Sequence, residues 1–299
     1  MPNLNHMTEI NLAQRRDFGG VLNATFVFLK QESALFFKTL LTYTAIPIVA
    51  SIALFAYVMT QAINGQIESI INSPDPSTVL MFIIPVVILW FLLIITQILV
   101  VALTNGYLKL YKEKGKGNFS VSEVGQIAAR NFFPIIGYGI VVSIPIIVGF
   151  LLFILPGIYL AVTLNFILII MFIEDKGLSK NFSRCFEVIR NNWWVTFGLL
   201  FVASIIINVV IQVFYIPMQV YLQMKMLTIA ETGDLSQLNI PLVIITFVLL
   251  MVGGTYLQSF MYLVTGLQYF SLNEADGSTT ILDRINKIGE TPSSTENQF

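Results

Sequence analysis

Charge is what this chain most lacks. Asp, Glu, Lys and Arg make up 11% of 299 residues, where a soluble domain averages about 25% to clothe its core in water-compatible groups. That scarcity excludes a soluble shell. The net charge of −1 gives no overall attraction to nucleic acid, and no nucleic-acid partner is expected. A single cysteine, Cys185, excludes an internal disulfide and a cysteine-built metal centre. A single histidine, His6, lies in a polar stretch and reads as a solvated residue. One imidazole cannot supply the multi-histidine sets of metal-dependent oxygenases. No metal or cofactor is expected. The sequence has no phosphate-cradling GxxxxGK[ST] loop and no base-bearing constellation beside a Ser or Asp nucleophile. These absences read as a protein that is not an enzyme. Residues 1–34 also lack an apolar core with a small-residue cleavage site, so no signal peptide is expected.

What the chain has is hydrophobic length. Apolar residues make up 56% of it. A hydrocarbon layer about 30 Å thick needs roughly 20 apolar residues at 1.5 Å each. Six segments meet that need, over about 38–62, 79–103, 132–152, 156–173, 193–215 and 242–267. None carries an ionisable residue well inside it. The expected fold class is all-α: a polytopic helical membrane bundle with six transmembrane helices in three hairpins. Residues 1–272 form a single transmembrane domain, and 273–299 form a cytoplasmic tail.

The basic residues give the orientation. Fifteen of the sixteen fall on one side: before the first span, between spans two and three, between four and five, and in the tail. Only Lys225 falls on the other. Loops rich in Lys and Arg stay in the cytoplasm, so both termini are expected there.

Before each odd-numbered span the sequence shows apolar residues at helical spacing, ending in basic or amide residues. The stretches run from Phe18 to Leu29, from Val121 to Ala128, and from Leu178 to Ile189. Each is expected to form an amphipathic helix lying in the membrane interface. Trp193 and Trp194 follow the third, at the depth indoles favour. Lys109, Lys112, Lys114, Lys116, Lys180, Arg184 and Arg190 are the candidate contacts for lipid headgroups.

The outside loops are short. One ends in Ser73-Pro74-Asp75-Pro76-Ser77, a turn composition. The other, Lys225 to Asn239, has room for one short helix. In the tail, Ile281, Leu282, Ile285 and Ile288 mark a brief amphipathic helix stopped by Gly289, with disorder expected beyond it.

Leu155-Pro156-Gly157-Ile158-Tyr159 reads as a corner between spans three and four. Proline is tolerated in a first helical turn and glycine lets backbones approach closely. A re-entrant or gating role is the alternative.

Residues 156–194 carry a resemblance. Pro156-Gly157-Ile158-Tyr159, the exit Glu174-Asp175-Lys176-Gly177, and Arg184-Cys185-Phe186-Glu187-Val188-Ile189-Arg190 before Asn192-Trp193-Trp194 resemble two related groups. These are the membrane domain found beside glycerophosphoryl diester phosphodiesterases and the YciC-like bacterial membrane proteins. Those families tend to place Ser-Trp where this chain has Cys185-Phe186, and Gly at Asn191. The resemblance implies a six-helix protein of the bacterial cytoplasmic membrane. It does not bring the phosphodiesterase reaction, which belongs to a separate soluble domain.

Inside the spans the groups with hydrogen-bonding chemistry are amides: Gln97, Asn105, Asn165, Asn208, Gln212 and Gln258. They read first as glue between helices, and second as a polar pocket at the bundle centre. Gly137, Gly139, Gly149, Gly253 and Gly254 are expected where helices pack closely. Two functional readings follow. The first is a scaffold or membrane-organising subunit whose partners are lipids and another membrane protein. The second is a carrier for a neutral or lipidic substrate held among the amides.

Overall fold

The computed structural model describes residues 10–72, 75–232 and 238–289, with side chains described through Ala275 apart from that of Phe214. His6, Ser73, Pro74 and the end of the tail, 290–299, lie outside the described residues. Every regular element among the described residues is a helix. They are α1 (Phe18–Gln61), α2 (Ile67–Asn72), α3 (Pro76–Lys114), α4 (Val121–Leu152), α5 (Ile154–Leu164), α6 (Ile167–Glu174), α7 (Leu178–Ile189), α8 (Trp193–Thr232) and α9 (Ile240–Gly289). A π turn at Ala62–Gln66 joins α1 to α2, with Gly65 at φ 82°. Counting α1–α2 and α5–α6 as one stretch each, six helices are long and apolar enough to cross a membrane.

Local chemistry sets the starts. Asp17, Asp75 and Ser120 each accept a backbone N–H from the first turn of the helix that follows, as N-caps do. Pro76 occupies the first turn of α3, where its missing N–H costs nothing. Within the apolar helices, Thr25, Thr39, Thr44, Ser51, Thr96 and Thr163 donate to the carbonyl four residues back. Each hydroxyl is thus satisfied without water.

Several boundaries differ from the sequence expectation. The amphipathic stretches at 18–31 and 121–131 are not separate helices. Each runs unbroken into the following span as α1 or α4, the latter even through Pro134, because an established helix propagates at little cost. Only the third stands alone, as α7, set off by a turn at Arg190–Asn192. The fourth span is broken at Asn165 and Phe166 into α5 and α6. The fifth continues past Tyr215 to Thr232, absorbing the helix expected near Lys225. The tail has no helix of its own either: α9 carries on through Gly289. The side chains of Ile281, Leu282, Ile285 and Ile288 lie outside the described residues.

One apolar core joins α1 and every helix from α3 to α9. It gathers Phe28, Phe36, Leu103, Leu108, Phe166, Phe172, Val188 and Leu267, close to the termini that carry most basic residues. Of the glycines expected at close contacts, Gly149 is one: it lies so near Gly157 that an added Cβ would stand 3.0 Å from the Gly157 Cα. Gly137, Gly139, Gly253 and Gly254 have nothing that close.

Candidate functional site

Two carboxylates organise the polar groups of the basic end. Glu32 is buried on α1, 4% exposed, in a row with Phe28, Phe36 and Leu40. These four lie at successive intervals of one helical turn, so they share one face. The Tyr107 hydroxyl donates to Glu32 Oε2 at 2.6 Å, and Lys116 Nζ stands 3.6 Å from Oε1. That second distance is an ion pair too long for a hydrogen bond. Glu32 therefore ties α1 to α3 and to the loop after it.

Glu174, at the end of α6, receives three donors. Tyr269 Oη and Arg184 Nε donate to Oε1 at 2.8 and 3.0 Å, and Lys176 Nζ donates to Oε2 at 2.9 Å. Arg184 also donates to Glu187 Oε2 at 3.2 Å and Asn273 Oδ1 at 2.8 Å. One guanidinium thus links α6, α7 and α9, a use that suits its rigid fork of donors. Nearby, Gln268 donates to Thr196 at 3.0 Å, joining α9 to α8. Ser271 Oγ bonds both the N–H and the carbonyl of Arg16.

The seven expected headgroup residues divide. Lys114 pairs with Glu123, and Lys116 and Arg184 are held in the knots just described. Lys109 is half-buried. Lys112 is exposed, with its ammonium 5.6 Å from the centre of the Phe270 ring. Lys180 and Arg190 are exposed on α7 and just beyond it.

The six amides do not gather at one point. Asn105 is buried and donates to Val101 O of its own helix at 2.9 Å. Asn208 likewise donates to Ser204 O at 2.8 Å. Asn208 and Gln212 are exposed and line an open groove along α8 with Ser204, Ile205 and Val209. Gln97 is exposed, Gln258 is half-buried, and Asn165 sits at the α5–α6 break. Among the described residues, no hydrogen bond joins two of the six.

Glu32 and Glu174 were not among the candidates drawn from the sequence. A carboxylate in a run of buried apolar residues at one-turn spacing was the available signal for Glu32. For Glu174, it was the acidic exit before Gly177. Cys185 is fully buried and its thiol bonds Asn181 O. Burial pushes its pKa up to about 12, which keeps the thiol protonated and unreactive at neutral pH. Among the described residues, no three His, Cys, Asp or Glu side chains group as metal ligands.

Residues 38–272 match the family model described as a domain of unknown function, DUF7847. The chain belongs to the DUF7847 family. The match ends at Leu272, among the last buried residues of α9. No curated protein and no solved structure matches this DUF7847 chain.

Proposed function

We propose that this DUF7847 protein is a non-enzymatic scaffold of the bacterial cytoplasmic membrane, organising lipid or a partner membrane protein. Both termini and the basic end face the cytoplasm. The third hairpin is entered through α7 lying at the headgroups and the first two through amphipathic stretches continuous with α1 and α4, with Lys112, Lys180 and Arg190 toward the anionic lipid surface. Kinship of residues 156–194 with the phosphodiesterase-associated and YciC-like membrane proteins belongs to the same proposal.

One observation carries the reading. The ionisable groups of the best-packed region are engaged with one another, Glu32 with Tyr107 and Lys116, and Glu174 with Tyr269, Arg184 and Lys176. Groups so engaged fix helices in place. The carrier reading draws on the amides, but Asn208 and Gln212 face outward along α8. An amide on a lipid-facing surface seeks a neighbouring helix, with a gain averaging about 0.6 kcal/mol per interhelical bond. That favours a protein partner over an enclosed substrate.

The test is purification in native lipid, with mass spectrometry of whatever stays bound, for the natural chain and for a variant with Asn165, Asn208 and Gln212 all changed to Leu. A scaffold keeps its fold and its lipid complement. Loss of a bound small molecule in the variant would instead establish the carrier.

A further inference from the structure

We propose that the α4–α5 hairpin does not cross the membrane but is a one-leaflet wedge, its tip buried among the acyl chains on the basic side. The proposal rests on the reading that the basic end lies at the headgroups.

α7 is tied to that surface by its charges. Ser179, Lys180, Ser183 and Glu187 are exposed along it and Arg190 follows, while Asn181, Cys185, Val188 and Ile189 are buried on the opposite face. A charge in mid-membrane costs about 2.5–3.5 kcal/mol on insertion scales. An exposed row of them holds the helix at the interface. Trp193 and Trp194 follow at once, and Trp194 is 77% exposed, which suits the boundary layer where indoles collect.

α7 packs on both α5 and α6. At one end of that pair, Arg184 holds Glu174 at 3.0 Å. At the other, Tyr159 stacks on Trp193 with ring centres 5.6 Å apart, and Trp193 Nε1 donates to the Tyr159 carbonyl at 3.4 Å. Phe186 lies 6.4 Å from the Tyr159 ring as well. Were the α5–α6 stretch to stand across the bilayer, Tyr159 would lie near the far face, about 22 Å from Glu174 at 1.5 Å per residue. The contacts with α7 and Trp193 hold it at the near one. The α5–α6 stretch therefore runs along the interface.

The tip reaches little further. From Tyr159 back to Phe153 is about 9 Å of helix at 1.5 Å per residue. That is less than half of the hydrocarbon thickness of about 30 Å. The chemistry of the tip agrees with this depth. From Ile144 to Ile158 no side chain is polar, whereas a loop emerging into water on the far side has no need of such a run. Leu151, Leu152, Phe153, Ile154 and Leu155 are 65–79% exposed, so the protein offers them no cover and acyl chains must. Two backbone bonds close the corner, and hydrocarbon favours such internal pairing. Phe153 N–H donates to Gly149 O at 3.0 Å, Gly157 N–H donates to Phe153 O at 3.4 Å, and Pro156 has no N–H to satisfy. Between Leu155 and Tyr159 on one side and Arg190 and Trp193 on the other lies a groove. Its apolar wall and cationic rim match an anionic phospholipid.

Single cysteines test this in intact cells, using a membrane-impermeant maleimide before and after permeabilisation. Buried Cys185 makes the natural chain the blank. Ser77→Cys and Lys112→Cys report the two faces, and Phe153→Cys and Leu155→Cys report the tip. Labelling of Lys112→Cys from outside overturns the orientation but leaves the wedge standing; labelling of the tip with Ser77→Cys overturns the wedge alone. The expected result is that the tip labels from neither side. A nitroxide at Phe153→Cys then decides why. High accessibility to oxygen and low accessibility to a polar nickel reagent support insertion into acyl chains. Low accessibility to both means burial in protein, and high accessibility to nickel means water; either overturns the proposal.

Discussion

At the basic end, Glu32 and Glu174 hold aromatic hydroxyls and cations from three helices and two loops, and Phe28, Leu108 and Leu267 beside them are wholly buried. Along the first half of α3 and the second half of α8, by contrast, Met81, Trp90, Phe91, Met224 and Leu227 are more than half exposed. Away from the basic end, helix contacts are simpler, such as Phe55 of α1 stacked on Phe247 of α9 with ring centres 3.9 Å apart. On the proposed membrane reading, the difference follows from the solvent. Lipid is as apolar as leucine, so it gives outward side chains no reason to turn inward. Specific structure is built where polar groups meet and need one another.

That contrast can be broken from either side. The largest effect is expected from Glu174→Leu. It removes the shared acceptor of Tyr269, Arg184 and Lys176 in a partly buried place, and the loss should be about 3 kcal/mol, read as a lower midpoint of thermal unfolding in detergent. Gly157→Ala comes next. A methyl there runs into the Phe150 ring, and forcing the two helices apart should cost about 1–3 kcal/mol in the same assay. Glu32→Gln keeps an acceptor for Tyr107 and loses only the Lys116 pairing, with an expected loss of about 1 kcal/mol. Least of all, Asn208→Leu with Gln212→Leu should change stability by no more than about 0.5 kcal/mol, since both side chains point out of the protein. A double variant as damaging as Glu174→Leu would erase the distinction between the two regions.

The number of long apolar helices was legible in the sequence because apolar length leaves a plain trace: six are long and apolar enough to cross a membrane. The amphipathic pattern of α7 was equally plain, since it sits between Gly177 and the Arg190–Asn192 turn. Other boundaries were not. The stretches that open α1 and α4 become part of their spans because an established helix propagates cheaply, even through Pro134 in α4, which an apolar count does not register. Glu32 escaped notice as one charge among polar neighbours, although Phe28, Phe36 and Leu40 mark its face as buried. The amides were visible as residues but not as directions. Composition says that Asn208 and Gln212 lie in an apolar helix, and only packing says that they look away from the core.

The account stands on the basic end facing the cytoplasm. The direct measurement places an epitope tag on each terminus and adds protease outside intact cells, with permeabilised cells for comparison. Both tags should survive outside treatment and vanish once the membrane is opened. Cleavage of either tag in intact cells would contradict it.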